Sequence, residues 1–148
     1  MDKKRRARWG AVLYILVLFQ VIVLKKVPFW NLRWLQGWRF RGWDHTHLEL
    51  FFTIDNFIYA VLRGNISWTY FLTNIVGNVL LFVPLGYLLI RGTRGRFFVV
   101  LFMGLLVIMF FEIVQLFSGL GVFDVDDIFL NMVGIIIGYI FAAGGGRK

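Results

Sequence analysis

A chain of 148 residues with 59% hydrophobic, 19% aromatic and only 16% charged side chains is too apolar for a water-soluble domain, where roughly 45–50% apolar is usual. Its formal net charge of +8 would suit nucleic acid. The basic residues, however, flank apolar runs, which assigns them to membrane topology and anionic lipid and excludes a nucleic-acid partner. The absence of cysteine excludes disulfides, thiolate metal sites and a cysteine nucleophile.

The chain begins with a basic tail, MDKKRRAR, followed by an apolar run from Trp9 to Leu24 that ends at Lys25 and Lys26. A signal peptide has the same layout. No small-residue cleavage site follows here, so the run reads as an uncleaved first transmembrane helix. Its length of roughly 24 Å leaves Arg8 and Lys25 to snorkel at its ends. From about 27 to 72 the pattern becomes interfacial. Trp30, Trp34, Trp38 and Trp43 alternate with Arg33, Arg39 and Arg41, the mixture favoured at the water–lipid boundary. Leu48–Arg63 has helical periodicity, with Glu49, Thr53, Asn56 and Arg63 along one polar stripe. With Asp55 in its middle it is too short and too polar to span, and is expected to lie in the interface or to be partly re-entrant. His45 and His47 in HTHLE lack an evident third zinc ligand, so they read as an exposed interfacial pair.

Thr73–Ile90 is the second spanning helix, with Pro84 and Gly86 loosening its second half. A basic turn, RGTRGR, leads into a third helix over Phe97–Phe117. A short loop over Ser118–Asp124 leads into a fourth over Val125–Ala143. The expected fold is therefore all-α, a single polytopic membrane domain over 1–148. Its four transmembrane helices cover about 9–24, 73–90, 97–117 and 125–143, with an interfacial amphipathic helix between the first and second. Counting Lys and Arg with the N-terminus inside puts ten on the cytoplasmic side and six on the other. Both termini are thus expected in the cytoplasm.

In that orientation Asn78, Glu112 and Asn131 each lie roughly 8–9 Å below the outer end of their helix, so three helices bring a polar group to one depth. Asn74 and Asn78 are four residues apart, and Glu112 and Gln115 three. Asp124, Asp127, Asn131, Gly134 and Gly138 form one stripe on the fourth helix. An acid at the bilayer centre costs roughly 2.5–3.5 kcal/mol on insertion scales, whereas interhelical hydrogen bonds between amides gain only ~0.6 kcal/mol. Acids are more than packing requires. Asn74, Asn78, Glu112, Gln115, Asp124, Asp126, Asp127 and Asn131 are therefore the candidate binding residues of an outward-facing pocket. Glu112, the deepest acid, is the candidate acid–base group. Asp124, Asp126 and Asp127 are candidate ligands for a hard divalent cation, although their spacing is not that of an EF-hand loop. No cofactor is otherwise implied. Ser67 and Ser118 have no identifiable partner for nucleophilic catalysis.

These residues resemble the VanZ-like family of small bacterial membrane proteins. The resemblance rests on Asn74, Asn78, Phe82, Pro84 and Gly86, then Glu112 and Gln115, then the run from Phe123 to Gly134, and covers about residues 70–143. Many members carry an arginine shortly before the Phe-Asp pair. Here that stretch is Gly119-Leu120-Gly121-Val122, so if that arginine pairs with an acid elsewhere, this chain must do without it or use Arg63 or another outer basic residue. The resemblance implies a protein of the bacterial cell membrane, associated with resistance to the glycopeptide teicoplanin; it supplies no reaction. Three activities fit the pocket: an accessory protein binding a lipid-linked or cationic envelope component, an enzyme acting on a lipid-linked substrate, or a small cation- or proton-coupled transporter. The implied partners are anionic lipid, a lipid-linked cell-wall precursor and other membrane proteins.

Overall fold

The computed structural model describes residues 2–24, 43, 46–93 and 95–145. His45 and the segment holding Trp30, Trp34, Trp38 and the interleaved arginines lie outside the described residues. Helix α1 (Lys3–Leu18) runs directly into a π-helical turn, Phe19–Leu24, and is followed by a two-residue strand β1 (Thr46–His47) and helix α2 (Phe52–Leu62). Then come α3 (Trp68–Gly92), α4 (Phe97–Ser118), a second two-residue strand β2 (Phe123–Asp124) and α5 (Val125–Gly144). Four helical stretches, Lys3–Leu24, Trp68–Gly92, Phe97–Ser118 and Val125–Gly144, are long and apolar enough to cross a membrane. The shorter apolar helix α2 sits between the first and second spans. The chain is a multi-pass membrane protein.

Two helices begin earlier than the apolar runs suggest, for different reasons. Helix α1 starts at Lys3 because the lysines and arginines of the basic tail are good helix formers, although they end a hydropathy window. Helix α3 starts at Trp68 because Ser67 caps it, its hydroxyl accepting from the Tyr70 amide at 3.1 Å. Hydropathy averages over a boundary that a single hydroxyl sets.

Helices α3 and α5 form the most extensive interface, and glycine makes it possible. A Cβ on Gly134 would fall 2.2 Å from the Val79 carbonyl oxygen, and one on Gly138 2.0 Å from that of Val83. The two backbones are therefore in direct contact, as the Gly-xxx-Gly spacing suggests. Phe82, Leu85, Ile108, Phe111 and Ile135 fill the interior beside this seam, each at most 1% exposed. Pro84 removes one helical donor from α3. The Leu81 carbonyl, in the turn before it, also accepts from the Tyr14 hydroxyl of α1 at 2.8 Å, which ties α1 to this turn.

The segment between α4 and α5 is more than a loop. Gly119 closes α4 in the left-handed region at φ 66°. Phe123 and Asp124 then pair in parallel with Thr46 and His47. This two-residue bridge is a local addition to an all-α fold. It is too short to leave an alternation in the sequence, and it brings the segment before α2 onto the top of α5.

Candidate binding site

Asp126 shows why α2 lies where it does. Residues Leu48–Phe52 offer no Ser, Thr, Asp or Asn to cap the helix, and Phe51 at its start has no capping side chain of its own. The carboxylate of Asp126, 1% exposed, supplies the cap from α5. One oxygen accepts from the Phe51 amide, and the other from the amides of Thr53 at 2.9 Å and Ile54 at 3.1 Å. Phe51 is held at φ 70°, a left-handed conformation costly for an aromatic residue, which turns its N–H toward that carboxylate. The helix dipole and three oriented amides take the place of water around a buried charge.

Asp124 is the N-cap of α5, accepting from the Asp126 amide at 2.9 Å. Its other oxygen accepts from the Thr53 hydroxyl at 2.5 Å and lies 3.2 Å from His47 Nδ1, itself 3.0 Å from the Thr53 hydroxyl. Two aspartates two residues apart thus fasten β1 and the start of α2 to the top of α5. His47 is consequently a partner of Asp124, contrary to its expected role in a free, exposed pair. The polar stripe of α2 also divides: Thr53 turns inward, whereas Glu49, Asn56 and Arg63 are exposed.

Beneath this fastening is a cavity of about 270 Å³. Its polar wall consists of Thr53, Asn74, Asn78, Gln115, Asp124, Asp126 and Asp127; Val21, Ile22, Ile54, Phe57, Ile75, Leu81 and Leu130 complete it. Asn78 donates to Asp127 Oδ1 across the α3–α5 interface, while Asn74 donates back to the Tyr70 carbonyl at 2.8 Å. Gln115 donates to the Ile22 carbonyl in the π-helical turn at 3.2 Å. Its Oε1 has no hydrogen-bond partner among the described residues, although Gln115 is only 6% exposed. Among the described residues no lysine or arginine lines the cavity. The wall carries carboxylates and amide oxygens, so the cavity is electronegative and rich in acceptors.

Six of the eight candidate binding residues line this cavity, and two do not. Glu112, 1% exposed, accepts from the Asp124 amide at 3.1 Å. It anchors the α4–α5 connection from behind and is not on the cavity wall, which removes the geometric basis for using it as an acid–base group on a ligand held there. Asn131 is also buried and off the wall, and its Oδ1 has no partner among the described residues. Nor do the three aspartates converge as a cation site. Asp126 is committed to three amides and Asp124 to Thr53 and His47, and among the described residues no three His, Asp or Glu are grouped to hold a metal.

The family model of VanZ/LLP1 matches residues 11–144, from within α1 to the last residue of α5. The chain belongs to that family. No curated protein and no solved structure matches it. The match takes in the first half of the chain as well as the motif-bearing second half, consistent with β1 and α2 being built onto α5. Among the described residues of this VanZ/LLP1 protein, the basic partner of the Phe-Asp pair is His47, not an arginine in the preceding loop. Arg63 is exposed and makes no contact with Asp124. The loop has no room for a larger residue at 121, where a Cβ would lie 2.8 Å from Gln115 Nε2.

Proposed function

We propose that this VanZ/LLP1 protein is an accessory protein of the bacterial cell membrane, with both termini cytoplasmic and the cavity open toward the outer face. The cavity binds a donor-rich or cationic group of an envelope component, of which a lipid-linked cell-wall precursor bearing free amines and hydroxyls is the best match. Sequestering such a precursor would alter glycopeptide access to it, and with that susceptibility to teicoplanin. The observation that carries this reading is Gln115, a nine-tenths-buried amide on the cavity wall whose oxygen lacks a donor. An unmet acceptor costs about 1–3 kcal/mol, and a ligand N–H or O–H recovers it. Asp127 and the amides of Asn74 and Asn78 add further acceptors within the same volume.

The test is binding of a lipid-linked cell-wall precursor to the full-length protein in detergent, followed by native mass spectrometry. Gln115→Leu and Asp127→Asn should each weaken binding by about tenfold or more, since a hydrogen bond involving a charged group contributes about 1.5–3 kcal/mol. Cells producing the wild-type chain should show changed teicoplanin susceptibility, and cells producing either variant at the same level should not. Equal precursor affinity in the wild type and both variants would refute the assignment.

A further inference from the structure

At the other end of α3 lies a second cavity, of about 410 Å³, with the opposite electrical character. It is a groove between α1, the end of α3 and the start of α4. Arg8 and Arg96 line it together with apolar side chains and Thr93, and among the described residues no acidic one lines it. The hydroxyl of Thr93 is already committed to the Leu89 carbonyl at 2.8 Å.

The groove has a direction. On α1 its lining passes from Arg8 through Ala11 and Val12 to Ile15, and on α4 from Arg96 through Val99 to Met103. Each wall therefore runs about 10 Å at 1.5 Å per residue, charged at one end and apolar along the rest. Both helices enter from the same end, because Arg8 Nε donates to the Gly92 carbonyl at 3.3 Å, at the last residue of α3. That bond holds the arginine stem against Gly92, where even a Cβ would lie 3.3 Å from Arg8 Cγ. The terminal guanidinium nitrogens of Arg8, and the whole guanidinium of Arg96, have no partner among the described residues. Two guanidinium groups with nitrogens that have no partner among the described residues, above an apolar channel, match an amphiphile with an anionic head.

We propose that this groove seats one anionic phospholipid, its phosphate held by Arg8 and Arg96 and an acyl chain lying along Ile15, Val99 and Met103. Arginine presents a planar fork suited to phosphate oxygens. Such a seat differs from the diffuse attraction of the basic tail, because it requires two particular arginines from separate helices.

The experiment uses the full-length protein, purified and delipidated in detergent. It is titrated in native mass spectrometry with phosphatidylglycerol and with phosphatidylcholine of the same acyl chains. Phosphatidylglycerol should bind at least tenfold more tightly. Arg96→Gln and Arg8→Gln should each weaken phosphatidylglycerol about fivefold, the effect of one basic residue at an anionic surface, and leave phosphatidylcholine unchanged. Arg5→Gln, in the tail but not in the groove, should change neither lipid by more than twofold. Met103→Trp, which fills the channel, should weaken both lipids. Should Arg8→Gln unfold the α1–α3 contact, Arg96→Gln still decides, since that side chain makes no bond among the described residues. Equal binding of the two lipids, or equal losses in Arg5→Gln and Arg96→Gln, would overturn the seat. So would displacement of the lipid by glycerol phosphate at concentrations where the whole lipid saturates, which would mark a soluble phosphate site.

Discussion

Replacing Asp126 by Asn tests the idea that α2 is held by a cap supplied from another helix. The change keeps size and shape but leaves one acceptor oxygen where there were two. Asn can retain the two amides of Thr53 and Ile54 only by turning its NH2 toward the Phe51 amide, so at least one backbone donor is orphaned. An orphaned buried donor costs about 1–3 kcal/mol, and the surviving bonds lose their charge assistance, which is roughly half their strength. A local loss of about 3 kcal/mol is expected, or about two orders of magnitude in the opening equilibrium. Hydrogen exchange resolved at residues 51–54 reads this directly. The Phe52 amide donates to the Glu49 carbonyl at 3.3 Å and serves as an internal reference. The amides of Phe51, Thr53 and Ile54 precede the helix bond from Asp55 to the Phe51 carbonyl at 2.8 Å and are held by Asp126. They should exchange about a hundredfold faster in Asp126→Asn, while amides within α3 and α5 keep their rates. Asp55→Asn, exposed in the first turn of the same helix, should change little. Unchanged protection at 53 and 54 in a folded Asp126→Asn protein would refute the cap. It would assign the docking of α2 to the ring contacts of Phe51 with Phe129 and His47 with Phe52.

Gly138→Ala drives a Cβ to 2.0 Å from the Val83 carbonyl and must spread α3 from α5, so a loss of about 3 kcal/mol or more is expected in detergent unfolding. Gly77→Ala meets nothing within 4 Å and should be neutral or stabilising by up to about 1 kcal/mol; equal effects would mean the seam is not close-packed. Tyr14→Phe removes the hydrogen bond from α1 to the Leu81 carbonyl and should cost about 1 kcal/mol in the same assay; no change would show that this bond does not help to hold α1 on α3. In the cysteine-free chain, single cysteines at 74 and 78 should react with a membrane-impermeant thiol reagent added outside. One at 112, where the native residue is 1% exposed, should not, and one at 96 should react only from inside. Labelling of 96 from outside would invert the topology.

The spans were legible because a run of apolar residues long enough to cross a bilayer has few alternatives. Their ends were less legible, since Ser67 and the basic tail set them by capping and propensity. The depth comparison drawn from sequence grouped Asn78 with Glu112 and Asn131, whereas the folded chain joins Asn78 to Asp127, one turn nearer the start of α5. The comparison assumed that neighbouring helices end in one plane. Helix α3, however, continues beyond Thr73 to Trp68, so equal distances from the apparent ends did not mean equal heights. The Gly134–Gly138 seam was legible as a close approach, but its partner was not, because the small-residue spacing describes only one side of the contact.

What escaped sequence reading altogether was the role of the two buried aspartates. Asp126 lies more than 70 residues from the amides it binds, and no local periodicity connects positions so far apart. Two incomplete local patterns nevertheless pointed to each other. The Asp-rich start of α5 had more negative charge than one helix dipole needs, while α2 began without a capping residue. Each problem resolves the other: orphan amides stabilise a carboxylate that water cannot reach, and the carboxylate lets an apolar helix start without a polar side chain of its own. The same economy of donors explains why the cavity below remains acceptor-rich. Thr53, His47 and the first turn of α2 are occupied with Asp124 and Asp126. The amides of Asn78, Asn74 and Gln115 donate to Asp127, Tyr70 and Ile22. That leaves the Gln115 oxygen as a buried acceptor on the cavity wall without a donor among the described residues.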